Sequence, residues 1–383
     1  MRVALVHDWL TGMRGGERVL EALLELFPEA PIHTLVHRPG STSPAIEARE
    51  IRTSFLQRVP GGVSRYRYFL PLFPRAVESL DVGDVDLVVS TSHAVAKGVP
   101  TGEIPHLCYC HTPMRYVWSQ YDQYFGPDRA SLPVRWAARV VAPGLRRWDA
   151  RTAAGVDAFV ANSANVRARI RRAYGREAVV IHPPVDVERF RPATRREDFY
   201  LVVSALVAYK RVDRAVDACS RLGRRLVVVG EGPELRRLRA RAGPSVSFEG
   251  RVDDERVAGL MGRCRALVLP GVEDFGITVV EARAAGAPVI ALAEGGALET
   301  VTDWRADPAG GSGVLVREAT VDAFCEAIER VEAVEPAPDV VRAGVERFGR
   351  ERFLEAFAAE VGRLTGGSPR PSPSTTTTAP ARS

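Results

Sequence analysis

Two carboxylates, Glu273 and Glu281, bracket a short loop and the start of a helix in the stretch GVEDFGITVVEARAAGAPVI, residues 271–290. Ala266 to Leu269 reads as a buried strand ended by Pro270, and ITVVEARAAG as a helix closed by Gly286 with Pro288 beyond. In parallel α/β sheets, ligands bind beyond the carboxyl ends of strands, where this loop would lie. The amides of Phe275, Gly276 and Ile277 would then sit at a helix N-terminus, a ready anion site. Glu273 would project from the loop, and Glu281, about one helical turn inside, would face the same crevice. Carboxylates accept hydrogen bonds from hydroxyls, and a sugar or ribose offers neighbouring pairs of them. The plain alternative makes Glu281 a solvated helix residue and Glu273 a loop acid that favours the helix dipole.

Four other segments carry residues suited to chemistry. In SALVAYKRVD (204–213), Lys210 and Arg211 offer positive charge to a phosphate, and a solvated helix start is the bland reading. VVVGEGPEL (227–235) is a strand running into a turn, with Gly230 and Gly232 around Glu231 and Pro233 set to open a helix; a simple βα turn has the same signature. HDWLTGMRGGERVL (7–20) places Gly15 and Gly16 just before a helix, where they permit close approach of a diphosphate or an acceptor, or merely let the helix begin. It lacks the G-x-G-x-x-G spacing of a dinucleotide fingerprint, which argues against a dehydrogenase. HLCYCHTPMRYVW (106–118) invites a zinc reading, but on a strand 106, 108 and 110 share one face and His111 takes the other, so the four cannot close a tetrahedron without a bend. The cysteines read as small core residues. Asp84 and Asp86 do not make a convincing metal pair, since Asp86 begins an apolar strand, and no divalent ion is expected.

The elements that must position these residues follow an alternating pattern. RVALVHD, VDLVVSTS (85–92), HLCYCHT and VDAFVANS (156–163) read as strands of one parallel sheet, and GGERVLEALLELFPEA as an amphipathic helix. FYLVVSAL, RRLVVVGEG, SVSFEGRV, RALVLPGVED and APVIALAEGG form a second series from residue 198. At 383 residues the chain suits two domains. We expect a Rossmann-like domain over 1–182, a proline- and charge-rich linker over 183–197, and a second Rossmann-like domain over 198–345. A helix over 346–365 would return to the first domain, followed by a low-complexity, disordered tail over 366–383.

A hydrophobic content of 46% with 26% charged residues is that of a soluble globular enzyme, and no apolar run reaches the ~20 residues that span a bilayer. His7, Asp8 and the glycine pair follow the first apolar residues too soon for a signal peptide, so a cytoplasmic location is expected. Five scattered cysteines agree with a reducing compartment. The net charge of +5 suits nucleic acid, anionic lipid or a phosphorylated small molecule. No nucleic-acid module accompanies it. RYRYFLPLFPRAVESL (65–80) and LPVRWAARVVAPGLRRWDARTAA (132–154) mix arginines with aromatics. Arginines 135, 139, 146, 147 and 151 with Trp136 and Trp148 are expected to form a basic surface for an anionic membrane, at the inner face.

The E-x7-E of EDFGITVVEA, with ALVLPGV before it and GAPVIALAEGGALETV after it, resembles the donor-binding segment of family 4 retaining glycosyltransferases. VVVGEGPELRRL, SALVAYKRVD and VANSANVRARI (160–170) resemble that family in the same order. The resemblance runs from residue 1 to about 364 and is more specific in the second half. It implies the GT-B fold of two facing Rossmann-like domains and transfer of a hexose from a nucleotide diphosphate sugar to a glycan or polyprenyl-linked acceptor. By the same resemblance, Glu281 would hold ribose hydroxyls and Glu273 hexose hydroxyls. Lys210 would pair with the phosphates, the turn at Glu231, Gly232 and Pro233 would border the base pocket, and His111 would meet the donor sugar near its reacting carbon. MRGGERV, YCHTP and SALVAYKRVD are similar to mannosyltransferases of surface-polysaccharide assembly, which makes GDP-mannose the best-matched donor. The family usually has an arginine five residues before the lysine, where this chain has Ala205; Arg211 or Arg214 could supply that charge. Competing readings are a sugar-nucleotide binding protein without transfer activity and a sugar-nucleotide epimerase of the same fold.

Overall fold

The computed structural model describes residues 1–118, 121, 125–126 and 131–366. Apart from Gly366, the tail expected over 366–383 lies outside the described residues. The chain divides into two compact units. The first holds residues 1–109, 151–159 and the segment from Leu354; the second holds 110–150 and 160–353.

Two parallel sheets carry the architecture. The first has seven strands in the order β3-β2-β1-β4-β5-β6-β7. They are β1 (Val3–His7), β2 (Ile32–Thr34), β3 (Ile51–Thr53), β4 (Leu87–Ser92), β5 (His106–Cys110), β6 (Ala158–Ala161) and β7 (Val179–Val180). The second has six in the order β10-β9-β8-β11-β12-β13: β8 (Tyr200–Val203), β9 (Leu226–Val229), β10 (Val246–Gly250), β11 (Ala266–Leu269), β12 (Val289–Leu292) and β13 (Gly313–Val316). The strands read from sequence are all present. β2, β3, β7 and β13 are additional; the first three are two or three residues long and too short to register as an apolar run, and β13, Gly313–Val316, is as long as its neighbours and was simply not singled out.

The central strands are buried on both faces, which is why their sequences are nearly continuous valine, leucine and isoleucine. Helices are closed by local chemistry. Ser163, Asp253 and Thr320 cap the helices Ala164–Tyr174, Asp254–Arg263 and Val321–Glu332 by accepting from the amides of Val166, Arg256 and Ala323. The segment expected as a linker is packed: Val185, Val187 and Phe190 join a core with Val345 and Phe348, and the Val185 amide donates to the Phe348 carbonyl at 2.9 Å. The C-terminal helix is Arg350–Thr365, and in the first unit Phe357 meets the Tyr109 ring at 6.4 Å.

In each sheet the strand order reverses next to the first strand of the series, between β1 and β4 and between β8 and β11. A crevice at the carboxyl ends is open at such a reversal, because the connecting segments leave in opposite directions.

Candidate functional site

In the second unit, the segment leaving β8 carries Lys210 and the segment leaving β11 carries Glu273, so the switch point brings them together. The Lys210 ammonium and the Glu273 carboxylate form an ion pair, with the side chains 16% and 18% exposed. A Cβ on Gly271 would come within 2.6 Å of the Lys210 carbonyl oxygen, so only glycine lets the two segments lie this close. Beneath them, Arg214 is buried and donates to the Pro270 carbonyl at 3.0 Å. Burial by itself would lower the pKa of Lys210. The Glu273 charge and hydrogen bond outweigh it, against an opposing effect of Arg115, and the pKa is raised.

Glu273 is fixed through its backbone as well. It bridges Gly295, and its carbonyl accepts from the Gly296 amide at 2.9 Å. Cβ atoms at Gly295 and Gly296 would meet the carbonyl oxygens of Glu273 and Phe275 at 2.3 and 2.2 Å. The EGG triplet after β12 therefore lets the loop seat against its neighbour. Gly276, at φ 90°, turns the chain into the helix Ile277–Ala284. That start leaves the first amides, those of Gly276 and Ile277 included, without intrahelical acceptors. Phe275 is buried, stacked on the half-buried His182 at 5.2 Å and edge-on to Phe348 at 5.5 Å. Burial and then the charge of Arg347 push the His182 imidazole down to about 4. Glu281 is half-buried one turn into the helix.

The turn Gly230, Glu231, Gly232 and Pro233 follows β9 and approaches the exit of β8: Cβ atoms at Gly230 and Gly232 would meet the carbonyl oxygens of Ser204 and Leu206 at 1.9 and 2.3 Å. Leu206 donates its amide to the Glu231 carbonyl at 2.9 Å. Arg211 adopts the left-handed conformation, φ 49°, at the start of the helix Val212–Leu222. It is exposed and makes two contacts of 3.0 Å with Asp213.

His111 directly follows β5 and is half-buried. Its carbonyl accepts from Asn162 at 3.1 Å. Four residues on, Arg115 donates to Asp274 at 2.7 Å, and Arg169, from the helix Ala164–Tyr174, also grips Asp274 and reaches the Thr112 hydroxyl at 3.3 Å. Ser163 adds a bond to the Asp274 carbonyl at 2.7 Å, and Glu299 accepts from the amides of Ala164 and Asn165. The segment carrying His111 is thus latched to the loop carrying Glu273. Sequence reasoning missed this latch. Asp274 lies between two residues it did single out, and Arg115 within a stretch it quoted.

Gly15 and Gly16 belong to the first unit, where they open the helix Gly15–Leu26. The carboxyl ends of β1 and β4 there hold a buried polar cluster that the sequence reading did not pick out. Asp8 accepts from the amides of residues 93–96 at 2.6–3.0 Å and contacts the His93 ring at 2.9 Å. Burial would raise its pKa, but His93 and the amide hold it well below the carboxylate range. His7 bonds Thr91 at 2.6 Å and lies 3.9 Å from the buried Glu17, which in turn accepts from the Arg14 amide. In the zinc-like stretch, Cys108 and Cys110 are core residues and His106 is bonded to Ser90 at 2.8 Å.

The basic surface needs one correction. Leu132, Trp136 and Val140 are 73%, 71% and 61% exposed along the helix Leu132–Thr152, but Trp148 is 8% exposed. Twelve residues advance a helix by about three and a third turns, so Trp148 faces away from Trp136. Arg146 is engaged as well, donating to the Val117 carbonyl at 3.0 Å and lying over the Trp118 ring. Among the described residues, no helix is long and apolar enough to cross a membrane.

Residues 186–346 match the family described as glycosyl transferases group 1, and residues 13–189 match Glycosyltransferase Family 4. The GDP-mannose-dependent monoacylated alpha-(1-6)-phosphatidylinositol monomannoside mannosyltransferase of Corynebacterium glutamicum is 31% identical over 271 residues, covering 62% of this chain and 69% of that relative. The GDP-mannose-dependent alpha-(1-6)-phosphatidylinositol monomannoside mannosyltransferase of Mycobacterium tuberculosis is 32% identical over 227 residues, and the chain spans 57% of its length. Among solved structures, HepE from Anabaena in complex with UDP superposes with a TM-score of 0.69 at 18% identity, covering 95% of this chain and 100% of that one, which bears on the fold. With the two parallel-sheet units, these matches identify the chain as a member of the family 4 glycosyltransferases, with the GT-B fold.

Proposed function

We propose that this glycosyltransferase moves mannose from GDP-mannose to a lipid-linked glycan acceptor, with retention and without a divalent metal. The observation that carries the reading is the Lys210–Glu273 pair at the β8/β11 switch point, beside the N-terminus of the helix Ile277–Ala284. Glu281 would clamp the ribose hydroxyls and Glu273 those of the hexose. His111 would stand at the reacting carbon, and the Glu231–Pro233 turn would border the base. The bond from the anomeric carbon to the diphosphate breaks with its electron pair going to the phosphate oxygen. The acceptor hydroxyl oxygen bonds to that carbon, and its proton leaves with the diphosphate. Lys210 and the helix amides would stabilise the developing charge, which is electrostatic catalysis by groups already in place. The names of the two relatives support the choice of donor and of a lipid-linked acceptor.

The test is a panel of nucleotide sugars, with binding followed by thermal shift and nucleotide release followed in the presence of extracted lipid. Mannosylated lipid formed from GDP-mannose supports the reading. Binding without release would indicate a binding protein, and an isomerised sugar with no acceptor an epimerase.

The face of the helix Leu132–Thr152 that bears Leu132, Trp136 and Val140 is flanked by Arg139 and Arg147, both exposed. Apolar and aromatic side chains beside arginine suit the interface of an anionic bilayer at the inner membrane face. Sedimentation with anionic vesicles should fall with added salt and on Arg139→Glu/Arg147→Glu. Equal sedimentation with neutral vesicles would reject the contact.

A further inference from the structure

A leaving nucleoside diphosphate concentrates more negative charge than one lysine balances, and in this chain position 205 is alanine. The two arginines adjacent in sequence are committed elsewhere. Arg211 is turned outward by its left-handed backbone and is forked onto Asp213. Arg214 is buried with its guanidinium on the Pro270 carbonyl, where it supports the loop from behind.

Asp274, next to Glu273, gathers two further cations. Arg169 is held by Asp274 and Thr112, whereas Arg115 reaches Asp274 at 2.7 Å from the segment that carries His111. The Arg115 side chain is 22% exposed, and its charge is felt at Lys210, where it opposes protonation. Two adjacent carboxylates, Glu273 and Asp274, thus hold three cations, Lys210, Arg115 and Arg169. This local excess of positive charge is what an anionic ligand requires.

We propose that Arg115 supplies the second positive charge on the donor diphosphate, with Asp274 as the residue that positions it. Because Arg169 also neutralises Asp274, Arg115 can turn one arm of its planar fork to a phosphate oxygen without leaving the carboxylate unpaired. The same latch would set His111 relative to the hexose clamp. This rests on the reading that the chain binds a nucleotide diphosphate sugar.

The test compares GDP, GMP and guanosine by calorimetry on wild type, Arg115→Ala, Arg115→Lys, Arg211→Ala and Arg214→Ala, with folding followed by circular dichroism. Arg115→Ala should weaken GDP about 10-fold or more, in line with loss of a charged hydrogen bond, and change GMP less. Arg115→Lys should recover part of the loss, because the charge stays while the fork is gone. An unchanged GDP-to-GMP ratio in both folded Arg115 variants would overturn the inference, as would a loss confined to Arg211→Ala or Arg214→Ala. Wild type that binds neither GDP nor, titrated in its place, UDP or ADP would instead remove the underlying reading.

Discussion

Replacing Lys210 by alanine separates the two roles that its ion pair combines. The pair is mostly buried, with 16% and 18% of the side chains exposed. Breaking a fully buried pair costs about 3–5 kcal/mol, because the remaining charge is left without its partner, and residual solvent brings the expected loss here to about 2 kcal/mol. Removing Glu273 as well takes that stranded charge away, so Lys210→Ala/Glu273→Ala should be no less stable than Lys210→Ala by urea unfolding. Turnover should behave differently. A cation aimed at the leaving group gains strength as charge develops, so Lys210→Ala should slow kcat ~100-fold, about 2.7 kcal/mol, and the double variant should not recover it. The pH dependence has a definite sign. With the folded pKa raised, the contribution of the pair from Lys210 is fully present below the unfolded value near 10.4 and is lost only as pH rises through the folded one. The loss in Lys210→Ala should therefore be constant between pH 6 and 9. Initial rates at saturating GDP-mannose within twofold of wild type would refute the leaving-group role.

Three other outcomes can be checked directly. Glu281→Ala should weaken free GDP by about 1–3 kcal/mol in calorimetry, the cost of leaving ribose hydroxyls without a charged acceptor, and equal affinity would remove the ribose role from Glu281. Arg283→Met should cost about 3 kcal/mol in urea unfolding, because the buried guanidinium serves the carbonyls of Val341, Thr300 and Ala343 at 3.2, 2.7 and 2.7 Å. Burial pushes His182 down to about 4, so as pH falls from about 6.5 to 4 the unfolded chain takes up a proton that the folded one resists. That removes up to about 3 kcal/mol across this window, and His182→Phe should flatten the acid side of the stability profile by that amount.

The second sheet was legible because its central strands are buried on both faces and bounded by glycine or proline, as in RALVLPG and APVIALAEGG. β2 and β3, IHT and IRT, were not. Each is three residues long with a charged or titratable residue in the middle, and each is a strand only because a neighbour supplies its ladder. The loop after β11 was legible in its parts but not in its support. GVEDFG announces a turn into a helix start, whereas the close seating of Gly271 on Lys210 and of Gly295 and Gly296 on the loop depends on which segments become neighbours. Those contacts join residues more than twenty apart, so no local pattern carries them.

The missing arginine shows the same limit at the level of charge. A search along the chain finds the cations nearest to Lys210 in sequence, Arg211 and Arg214, but adjacency along a backbone says little about direction. At Arg211 the left-handed turn that starts the helix Val212–Leu222 swings the side chain onto Asp213. At Arg214, the buried face of that helix carries the guanidinium beneath Pro270. Arg115 is 159 residues from Asp274 in sequence and reaches it from the segment that follows Thr112 and Pro113, a pairing that no local pattern announces. Asp274 then serves a purpose that its sequence neighbour Glu273 does not. Held by Arg169 and Arg115 together, it joins the segment that follows His111 to the loop that carries Glu273. On the proposed reading, such a support would keep its partners in place before the substrate arrives, so that little reorganisation would remain when the leaving group develops its charge.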